Sequence, residues 1–297
     1  MISRYAMMIG KKSAGGNPYG VFAYGYNGST YLSMKNLVSS SGIVGNDVTG
    51  VGTARLGMAA CEYGGDKGIF GFGRGTSNTS VTNLVSNTGV ISNDSFTSGT
   101  ARYYLASCSY GIDKGIFGFG YTTTNTTLTN LVSNTGTIAS DVTSAGNAKS
   151  ELAACEYGGD KGIFAYGLPT STSYSNLVSN TGIVASNTTI SGTARYDLAA
   201  CKYGGDKGIF GYGRTTTNVC NRVSNTGVVS SNTIGVGTAR YLLSACEYGG
   251  DKGIFGYGFN GSGLKITNTV SNTGVVSSDS TGAGTSRWGL SSCSYGS

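Results

Sequence analysis

The sequence predicts an all-β protein built as a six-bladed β-propeller, with four antiparallel strands in each blade. Three observations support this fold class: the composition, a repeat of about 47 residues, and turn signals at fixed places in each repeat. The 297 residues include Gly 51 and Pro 2, and only 11% are charged. This composition is typical of short strands joined by tight turns rather than of helices. The repeat spans nearly the whole chain, so we assign residues 1–297 to a single domain.

Two sequence markers recur in one register. Gly-Ile-Phe begins at Gly68, Gly115, Gly162, Gly208 and Gly253, with a weaker copy at Gly20. Asn-Leu-Val-Ser-Asn-Thr-Gly or a close variant begins at Asn36, Asn83, Asn130, Asn176, Asn221 and Asn268. A period of about 47 residues fits either a four-stranded propeller blade or a helical repeat. The high Gly and Thr content excludes the helical repeat.

Four strands can be placed in order in the unit formed by residues 101–143. The first covers 101–108 and the second 114–120, and a short turn, Tyr-Gly-Ile-Asp, joins them. The third covers 129–133 and the fourth 137–141, and an Asn-Thr-Gly turn joins these two. Gly supplies the positive φ that such tight hairpins require. One blade cannot bury both of its faces alone, so the blades are expected to stack around an axis.

Ring closure depends on a surplus copy of the first strand. The other three strands occur six times, whereas the first-strand motif occurs seven times. Its first copy covers residues 3–10 and its seventh covers residues 286–293. The last copy keeps the Cys of the repeat, and the first copy has Gly in its place. We therefore expect residues 286–293 to close the ring and residues 1–12 to form an N-terminal arm or an extra strand. A seven-bladed or incompletely closed ring is the alternative.

The order of motifs within each unit resembles that of a known family. An Arg opens the first strand, a short Gly hairpin follows, and the second strand ends in Gly-x-Gly, for example Gly71-Phe72-Gly73. This pattern resembles the Kelch repeat and implies a Kelch-like propeller, although the fourth-strand Trp of typical Kelch units is missing. The repeat sequence Thr-Asn-Leu-Val-Ser-Asn-Thr-Gly, followed by Gly-Thr-Ala-Arg-Tyr, resembles the sequences of repeat proteins encoded by tailed bacteriophages. That resemblance implies a component of a virion.

The residues most used in catalysis are scarce. Histidine is absent, which removes the commonest general base and the imidazole metal ligands. The acidic residues recur with the blade, whereas an active site usually has one asymmetric constellation. We therefore predict that the protein is not an enzyme and has neither a cofactor nor a metal site. Six of the seven Cys recur at one blade position, and we interpret them as small buried thiols that form no disulfide between blades.

The basic residues are dispersed around the predicted ring. The net charge is +6, but phosphate binding requires a contiguous basic track. We therefore expect no nucleic-acid partner. No run is long and apolar enough to cross a bilayer, and the opening residues lack the features of a secretory signal. We expect no membrane insertion, and synthesis in the host cytoplasm without a signal peptide.

Five recurrent arginines open the first strands of blades. They are Arg55, Arg102, Arg195, Arg240 and Arg287. We interpret them as structural ties between adjacent blades, with the Asp or Asn that ends each fourth strand as their charge-assisted partner. A row of arginines lining an anion-binding channel is the alternative.

The copies diverge most between the second and third strands. The residue just after Gly-x-Gly is Tyr26, Arg74, Tyr121, Leu168, Arg214 or Phe259. Strand alternation places these loops together on one face, and the recurrent hairpins on the opposite face. Aromatic and Arg residues in loops are what recognition surfaces use. These six residues are therefore the predicted binding site, and neutral drift of exposed loops is the alternative.

Together these features predict a non-enzymatic structural and recognition protein of a bacteriophage virion. It would serve as a fibre, tail or capsid-surface component and mediate host attachment or contact between proteins. Its expected partners are other virion proteins, or a glycan or protein of the host surface, and it could also form a homo-oligomer. The alternative function is a free, lectin-like propeller that binds carbohydrate, for which the 20 Tyr provide stacking surfaces.

Overall fold

A computed structural model describes residues 18–169, 173–215 and 217–296. Within these ranges every regular element is a β-strand, and the strands form six antiparallel sheets. The sheets are the blades of a closed β-propeller, with their first strands side by side around a central axis. The predicted fold class and the blade count are thus confirmed. In this part of the chain no helix could span a membrane.

The blades are numbered in chain order, and the last strand of the chain belongs to blade 1. Blade 1 contains β1 (Tyr19–Ala23), β2 (Lys35–Val38) and β22 (Ser291–Tyr295). Blade 2 contains β3 (Ala59–Tyr63), β4 (Lys67–Gly71), β5 (Val81–Val85) and β6 (Ser95–Phe96). Blade 3 contains β7 (Ala106–Tyr110), β8 (Lys114–Gly118), β9 (Leu128–Val132) and β10 (Val142–Thr143).

The second half of the ring repeats this order. Blade 4 contains β11 (Ala153–Tyr157), β12 (Lys161–Ala165), β13 (Tyr174–Val178) and β14 (Thr188–Thr189). Blade 5 contains β15 (Ala199–Tyr203), β16 (Lys207–Gly211) and β17 (Cys220–Val223). Blade 6 contains β18 (Ser244–Tyr248), β19 (Lys252–Gly256), β20 (Ile266–Val270) and β21 (Ser280–Thr281). In blades 1 and 5 the fourth strand is a single bridge, which pairs Lys35 with Val48 and Cys220 with Thr233.

The strand bounds in blade 3 differ from the predicted ones. The first strand begins at Ala106 rather than at residue 101, because Tyr104 has a positive φ of 54° that interrupts an extended chain. The second strand ends at Gly118 because Phe119 also has a positive φ, of 63°. The fourth strand begins at Val142, one residue after the predicted strand ends. We label the four strands of each blade a to d, from the first strand of the repeat to the fourth. The c–d turn closes at Asn-Thr-Gly as predicted, with a bridge between Val132 and Ile138, but the regular pairing of strand d begins only at Val142.

The C-terminal strand closes the ring. Strand β22 pairs antiparallel with β1, and Cys293 lies opposite Val21. The last and first described segments of the chain therefore share one sheet. This confirms the prediction that the C-terminal copy of the first strand, residues 286–293, closes the ring. The N-terminal arm predicted for residues 1–12 lies outside the described residues. Seven blades or an open ring, the alternatives considered from the sequence, are not what the structure shows.

The core lies between blades rather than within them. Each core cluster combines residues of two neighbouring blades, as when Ile69 and Phe72 of blade 2 pack with Phe117 of blade 3. The rings of Phe72 and Phe117 meet edge to face, 5.4 Å apart. The thiol of Cys61 packs over Gly115 of the next blade. All seven cysteines, Cys220 included, are buried and free.

The recurrent arginines lie in these inter-blade layers. Arg55, Arg102, Arg195, Arg240 and Arg287 are at most 2% exposed. Arg55 donates to the carbonyls of Thr53 and Phe72 and to the side chain of Asn83, all in or before its own blade. Its guanidinium stacks on Tyr24 of blade 1, 4.4 Å from the ring centroid. A side chain enclosed in this way does not line an open channel.

In blade 3 an intervening Asn separates the Arg from the Asp that was predicted as its direct partner. Asn130 accepts from Arg102 and donates in turn to Asp141, whereas the direct distance from Arg102 to the Asp141 carboxylate is 3.8 Å. The carboxylate mainly accepts from the backbone N–H and hydroxyl of Thr100. The Asp therefore anchors the connection between blades, and the third-strand Asn links it to the Arg.

Candidate functional site

The six predicted binding residues lie on one face of the propeller. Each forms a β-bridge with the residue that follows the Arg or Lys opening the same blade's first strand. The pairs are Tyr26 with Trp288, Arg74 with Leu56, Tyr121 with Tyr103, Leu168 with Ser150, Arg214 with Tyr196, and Phe259 with Tyr241. We call this the loop face, because it also carries the loops between second and third strands. The sequence prediction did not include the bridge partners.

The Gly-x-Gly motif positions these residues. Its middle residue is a buried aromatic with positive φ, for example Tyr212 at 62°, and the next residue, Gly213, has a φ of 117°. The aromatic ring packs edge to face against the next blade, as Tyr212 does on Phe255 at 5.2 Å. The chain then returns to bridge geometry at Arg214. The motif therefore fixes the start of each b–c loop against the neighbouring blade.

Aromatic side chains form a continuous arc across blades 1, 6 and 5. Neighbouring ring centroids are 4.6 to 5.6 Å apart along its aromatic part. The guanidinium of Arg214 lies between the last two rings, 4.6 Å from the centroid of Tyr241 and 5.8 Å from that of Tyr196. In order, the aromatic arc consists of Tyr31, Tyr26, Trp288, Phe259, Tyr241, Arg214 and Tyr196. The structure thus brings three of the predicted residues, Tyr26, Arg214 and Phe259, into one surface.

A smaller cluster lies on blades 2 and 3. Arg74 donates to the hydroxyl of Tyr103 at 3.0 Å and lies over its ring. Tyr103 also contacts Tyr121 and Tyr104, with centroids 5.7 and 4.6 Å away. On blade 4 the equivalent bridge pair is Leu168 and Ser150, which has no aromatic ring. The loop face is therefore asymmetric although the scaffold repeats six times.

The bridge partners Tyr103, Tyr196, Tyr241 and Trp288 were missed by sequence reasoning. A signal for them was present, since the residue after the recurrent Arg or Lys differs in chemistry between copies. The d–a connections share the loop face with the b–c loops, so their variable positions were equally informative. The sequence did not show the β-bridge that joins the residue after Gly-x-Gly to the residue after the recurrent Arg or Lys.

A ring of hydrogen bonds surrounds the central axis on the loop face. It is formed by the residue two positions after each Arg or Lys, and each backbone N–H donates to the equivalent carbonyl of the neighbouring blade at 2.7 to 2.9 Å. The six members are Gly57, Tyr104, Glu151, Asp197, Leu242 and Gly289. Just below them lies an apolar floor, formed by Met58, Leu105, Leu152, Leu198, Leu243 and Leu290. Together the twelve residues line a cavity that we call the mouth basin.

All six members of the hydrogen-bonded ring have a positive φ, between 53° and 64°. Gly tolerates this conformation, whereas other residues lose about 1 to 2 kcal/mol in it. Only Gly57 and Gly289 avoid that cost. The other four ring residues are Tyr, Glu, Asp and Leu, so the chemistry at this position differs widely between copies. An observed outlier of this kind marks a position where side-chain chemistry is worth a functional hypothesis.

Two carboxyl groups meet in the mouth basin. Asp197 is 7% exposed, and burial together with the neighbouring Glu151 raises its pKa to about 8. Burial also raises the pKa of Glu151. Arg214 opposes both shifts, with a guanidinium nitrogen 4.0 Å from the Asp197 carboxylate. Near neutral pH the pair therefore tends to hold a proton, and can both accept and donate hydrogen bonds.

The opposite surface, the hairpin face, is nearly uniform. The a–b hairpins form their own ring, in which the N–H of Gly64 donates to the carbonyl of Asp113. The equivalent Gly of each other blade does the same to its neighbour, except that Gly249 donates to the carbonyl of Pro18. Adjacent Asp and Lys residues pair at the hairpin tips, as Asp66 and Lys67 do at 2.7 Å. Five aliphatic residues at one position of the c–d hairpins are 57 to 69% exposed: Ile43, Val90, Ile183, Val228 and Val275. This face is the competing contact surface.

Lys202 is a buried cation that lines the channel below the mouth basin. Lys202 lies 3.4 Å from the carboxylate of Glu156 and 3.0 Å from that of Glu247. Burial alone would lower the pKa of Lys202, but these carboxylates raise it above its ordinary value. Among the described residues, no group of three His, Cys, Asp or Glu side chains could hold a metal ion.

The fold and the loop face together define the class of this protein. It is a six-bladed β-propeller with an asymmetric array of aromatic, cationic and carboxyl groups at one end of its axis. No protein-family model matches the chain, and no curated protein is similar to it. The class therefore rests on the architecture itself.

Proposed function

We propose that this protein is a non-enzymatic recognition protein that binds its partner through the loop face. The observation that carries the proposal is the contrast between the repeated scaffold and the variable loop face. The residues that hold the blades together recur in nearly every copy, whereas the aromatic and cationic residues exposed on the loop face differ from copy to copy. Partly exposed Tyr, Trp and Arg are the residues that most often dominate binding energies.

The proposed setting is a bacteriophage virion. This proposal is supported by the Kelch-like order of motifs and by the resemblance of the repeat sequence to phage repeat proteins. A closed scaffold is also well suited to a particle surface. The protein would be a fibre, tail or capsid-surface component that contacts the host or another virion protein. Labelling purified particles with an antiserum against the protein tests this setting. Particles that contain none of the protein would contradict it.

The recognition role is tested by changing the loop face while leaving the scaffold intact. We expect that replacing Tyr26, Arg74, Tyr121, Arg214 and Phe259 together by Ser abolishes attachment, since it removes the anchors of both aromatic clusters. The measurement is competition by the purified protein for adsorption of the particle to its host. Circular dichroism and thermal melting of each variant show whether the fold is kept.

A control with the same number of substitutions is available on the hairpin face. Ile43, Val90, Ile183, Val228 and Val275 are also exposed, and their replacement by Ser should leave attachment unchanged. Loss of attachment in this control, with normal attachment by the loop-face variant, would assign recognition to the hairpin face.

A free lectin-like propeller is the second candidate. The aromatic arc favours it, because closely spaced Tyr, Trp and Phe rings beside hydrogen-bonding groups offer apolar faces to sugar rings. The particle labelling separates the two settings, since a free lectin is absent from virions. Both candidates use the same face, so the substitutions above test the surface in either case.

A further inference from the structure

The hairpin face carries exposed apolar side chains that the core does not use. In blade 2, Val90 is 61% exposed, whereas the next residue, Ile91, is 3% exposed and bridges to Val85. The residue equivalent to Val90 is β-branched in all six blades: Ile43, Val90, Thr137, Ile183, Val228 and Val275. The exposed residues after Gly-x-Gly differ in chemistry from copy to copy. The hairpin face therefore keeps an exposed apolar ring although other exposed positions have diverged.

Blade 3, which has Thr in this ring, exposes an aliphatic residue elsewhere on the same face. Its a–b hairpin has Ile112 where four other blades have Gly: Gly65, Gly159, Gly205 and Gly250. Ile112 is 39% exposed and has a positive φ of 78°, an unfavourable conformation for a β-branched residue. A Cβ added at Gly65, Gly159 or Gly205 would meet no atom of the described residues within 4 Å. A strained Ile that extends into open space is explained if another molecule covers it.

The charges of the hairpin face are balanced and lie beside the apolar ring. Five a–b hairpins each carry one Asp and one Lys, which pair at 2.7 to 3.0 Å, and the Lys side chains are 41 to 44% exposed. The Asp also accepts from the Asn three residues before the exposed aliphatic residue, as Asp66 does from Asn87 at 3.1 Å. Each of these tips therefore has no net charge and offers a positive and a negative group side by side.

A second copy of the chain is complementary to this pattern. Two hairpin faces can meet about a two-fold axis perpendicular to the propeller axis, with an Asp of one copy beside a Lys of the other. The symmetry then places the Lys of the first copy beside the Asp of the second. Two loop faces would instead repel each other, because Arg74 and Arg214 are exposed there and the nearby carboxyl pair tends to hold a proton.

The hairpin face is also large enough for a stable contact. A standard interface buries about 800 Å² on each partner, which is a small part of the 11993 Å² of accessible surface on this chain. Hairpin tips from all six blades contribute to the face. Contact between two such faces can therefore reach the size that a stable dimer requires.

We propose that two copies of this chain associate through their hairpin faces, with the apolar residues buried between them and the Asp and Lys residues paired across a two-fold axis. The two loop faces then point in opposite directions, and each is free to bind a partner. This inference goes beyond the proposed function, because it assigns a role to the other face.

The first experiment is sedimentation velocity of the full chain up to about 100 μM, which covers the affinities usual for standard interfaces. We expect a dimer. Replacing Ile43, Val90, Ile183, Val228 and Val275 together by Ser should raise its dissociation constant roughly 100-fold or more, since each residue occurs twice in a two-fold interface. The loop-face variant, which also has five Ser substitutions, is the matched control and should dimerise as wild type does.

The second experiment tests the pairing of charges. One variant has Glu in place of the five hairpin lysines, Lys67, Lys114, Lys161, Lys207 and Lys252, and its face is negative. The other has Asn in place of Asp66, Asp113, Asp160, Asp206 and Asp251, so its face is positive while an acceptor oxygen is kept. Each alone should be mainly monomeric, and an equimolar mixture should form a dimer that contains one of each. A mixture that stays monomeric, although both variants melt as wild type does, contradicts the pairing.

Three other results overturn the inference. The first is a full chain that is monomeric at about 100 μM, well above the dissociation constants usual for interfaces of standard size. If removal of residues 1–12 then produces a dimer, that segment is the occupant of the face, and if the hairpin-face Ser variant is missing from purified particles, a virion protein is. The second is self-association that is unchanged in the hairpin-face Ser variant, and the third is self-association that is lost in a folded loop-face variant. Attachment is measured separately, so recognition by the loop face stands or fails independently of the dimer.

Discussion

At the scale of single residues, Lys149 shows what the recurrent Arg contributes. It opens the first strand of blade 4, where the other blades have Arg. Its ammonium donates to Asn176 at 2.6 Å and lies 4.7 Å from the centroid of Phe119. Burial lowers the pKa of Lys149 to about 7. The fourth-strand residue of this blade is Asn187 rather than Asp, so no carboxylate there offsets the burial.

Lys149→Arg is expected to stabilise the protein by about 1 kcal/mol, as repeat-consensus substitutions commonly do. Arg195 shows that a guanidinium fits in a blade whose fourth-strand residue is Asn232, with its Nε bonded to the carbonyl of Tyr212 and its Nη2 left without a partner among the described residues. The folded-state pKa of Lys149 is lowered, so the unfolded chain binds more protons between about pH 7 and pH 10. Wild-type stability therefore gains a contribution as pH rises through this window. The measurement is urea unfolding of both proteins at pH 6, 8 and 10.

The difference between variant and wild type is the informative quantity, because it cancels groups common to both. Asp197 is one such group, and its raised pKa removes stability as pH rises towards about 8. The advantage of the Lys149→Arg variant over wild type should be largest at pH 6 and shrink by pH 10. An advantage that is constant with pH would show that Lys149 keeps an ordinary pKa.

At the scale of strands, the recurrent Cys and Gly form a contact between blades. The thiol of Cys61 on β3 packs over Gly115 on β8, where an added Cβ would lie 2.5 Å from the sulfur. The same contact recurs around the ring, for example between Cys201 and Gly253. Gly is therefore required at this position of the second strand by the neighbouring blade rather than by its own turn.

Gly115→Ala is expected to destabilise the protein by about 1 to 3 kcal/mol, the usual cost of overpacking a core. Removing the sulfur with Cys61→Ala makes room for the new methyl group. The double variant should therefore be more stable than the sum of the two single effects predicts, by at least about 0.5 kcal/mol. Denaturant unfolding of the four proteins of this cycle provides the measurement.

Cys246→Ala is the matched control, since this residue packs over Gly20 in a different interface. Combined with Gly115→Ala, it should give additive effects. Equal coupling in the two cycles would mean that the contact between Cys61 and Gly115 is not the cause.

At the scale of the whole molecule, closure depends on one strand. Strand β22 supplies the inner strand of blade 1 and lies beside the inner strands of blades 2 and 6. Without it, two neighbouring interfaces lose their apolar contacts, including the packing of Tyr295 and Cys293 in the core. Propeller blades gain most of their stability from such neighbours.

A chain truncated after residue 285 is therefore expected to lose its cooperative thermal transition and to aggregate. Removal of residues 1–12 is the control, because all six blades are formed within residues 18–296. That shorter chain should melt within a few degrees of the full chain. Thermal melting followed by circular dichroism, with size-exclusion chromatography, measures both. A truncated chain with an unchanged melting temperature would contradict closure by β22.

Much of this molecule was predictable, since its strands and hairpins are encoded locally. Composition, Gly-containing turns and the repeat period predicted the all-β class and six blades, and the Cys kept in the last copy of the first strand predicted closure by residues 286–293. The variable residues after Gly-x-Gly were likewise assigned to one face. The strand bounds in blade 3 were not predicted, because the positive φ at Tyr104 and Phe119 accompanies contacts with neighbouring blades, which local sequence does not specify.

The sequence by itself determined the repeating scaffold and the side on which its variable loops lie. Only the tertiary structure decided which unlike residues become neighbours. Glu151 and Asp197 are one repeat apart in the chain, and they meet at the axis because the closed ring of hydrogen bonds turns both into the mouth basin. Tyr26 and Phe259 come from opposite ends of the chain and share one arc through Trp288. Such proximity follows from closure of the ring, which local patterns do not specify.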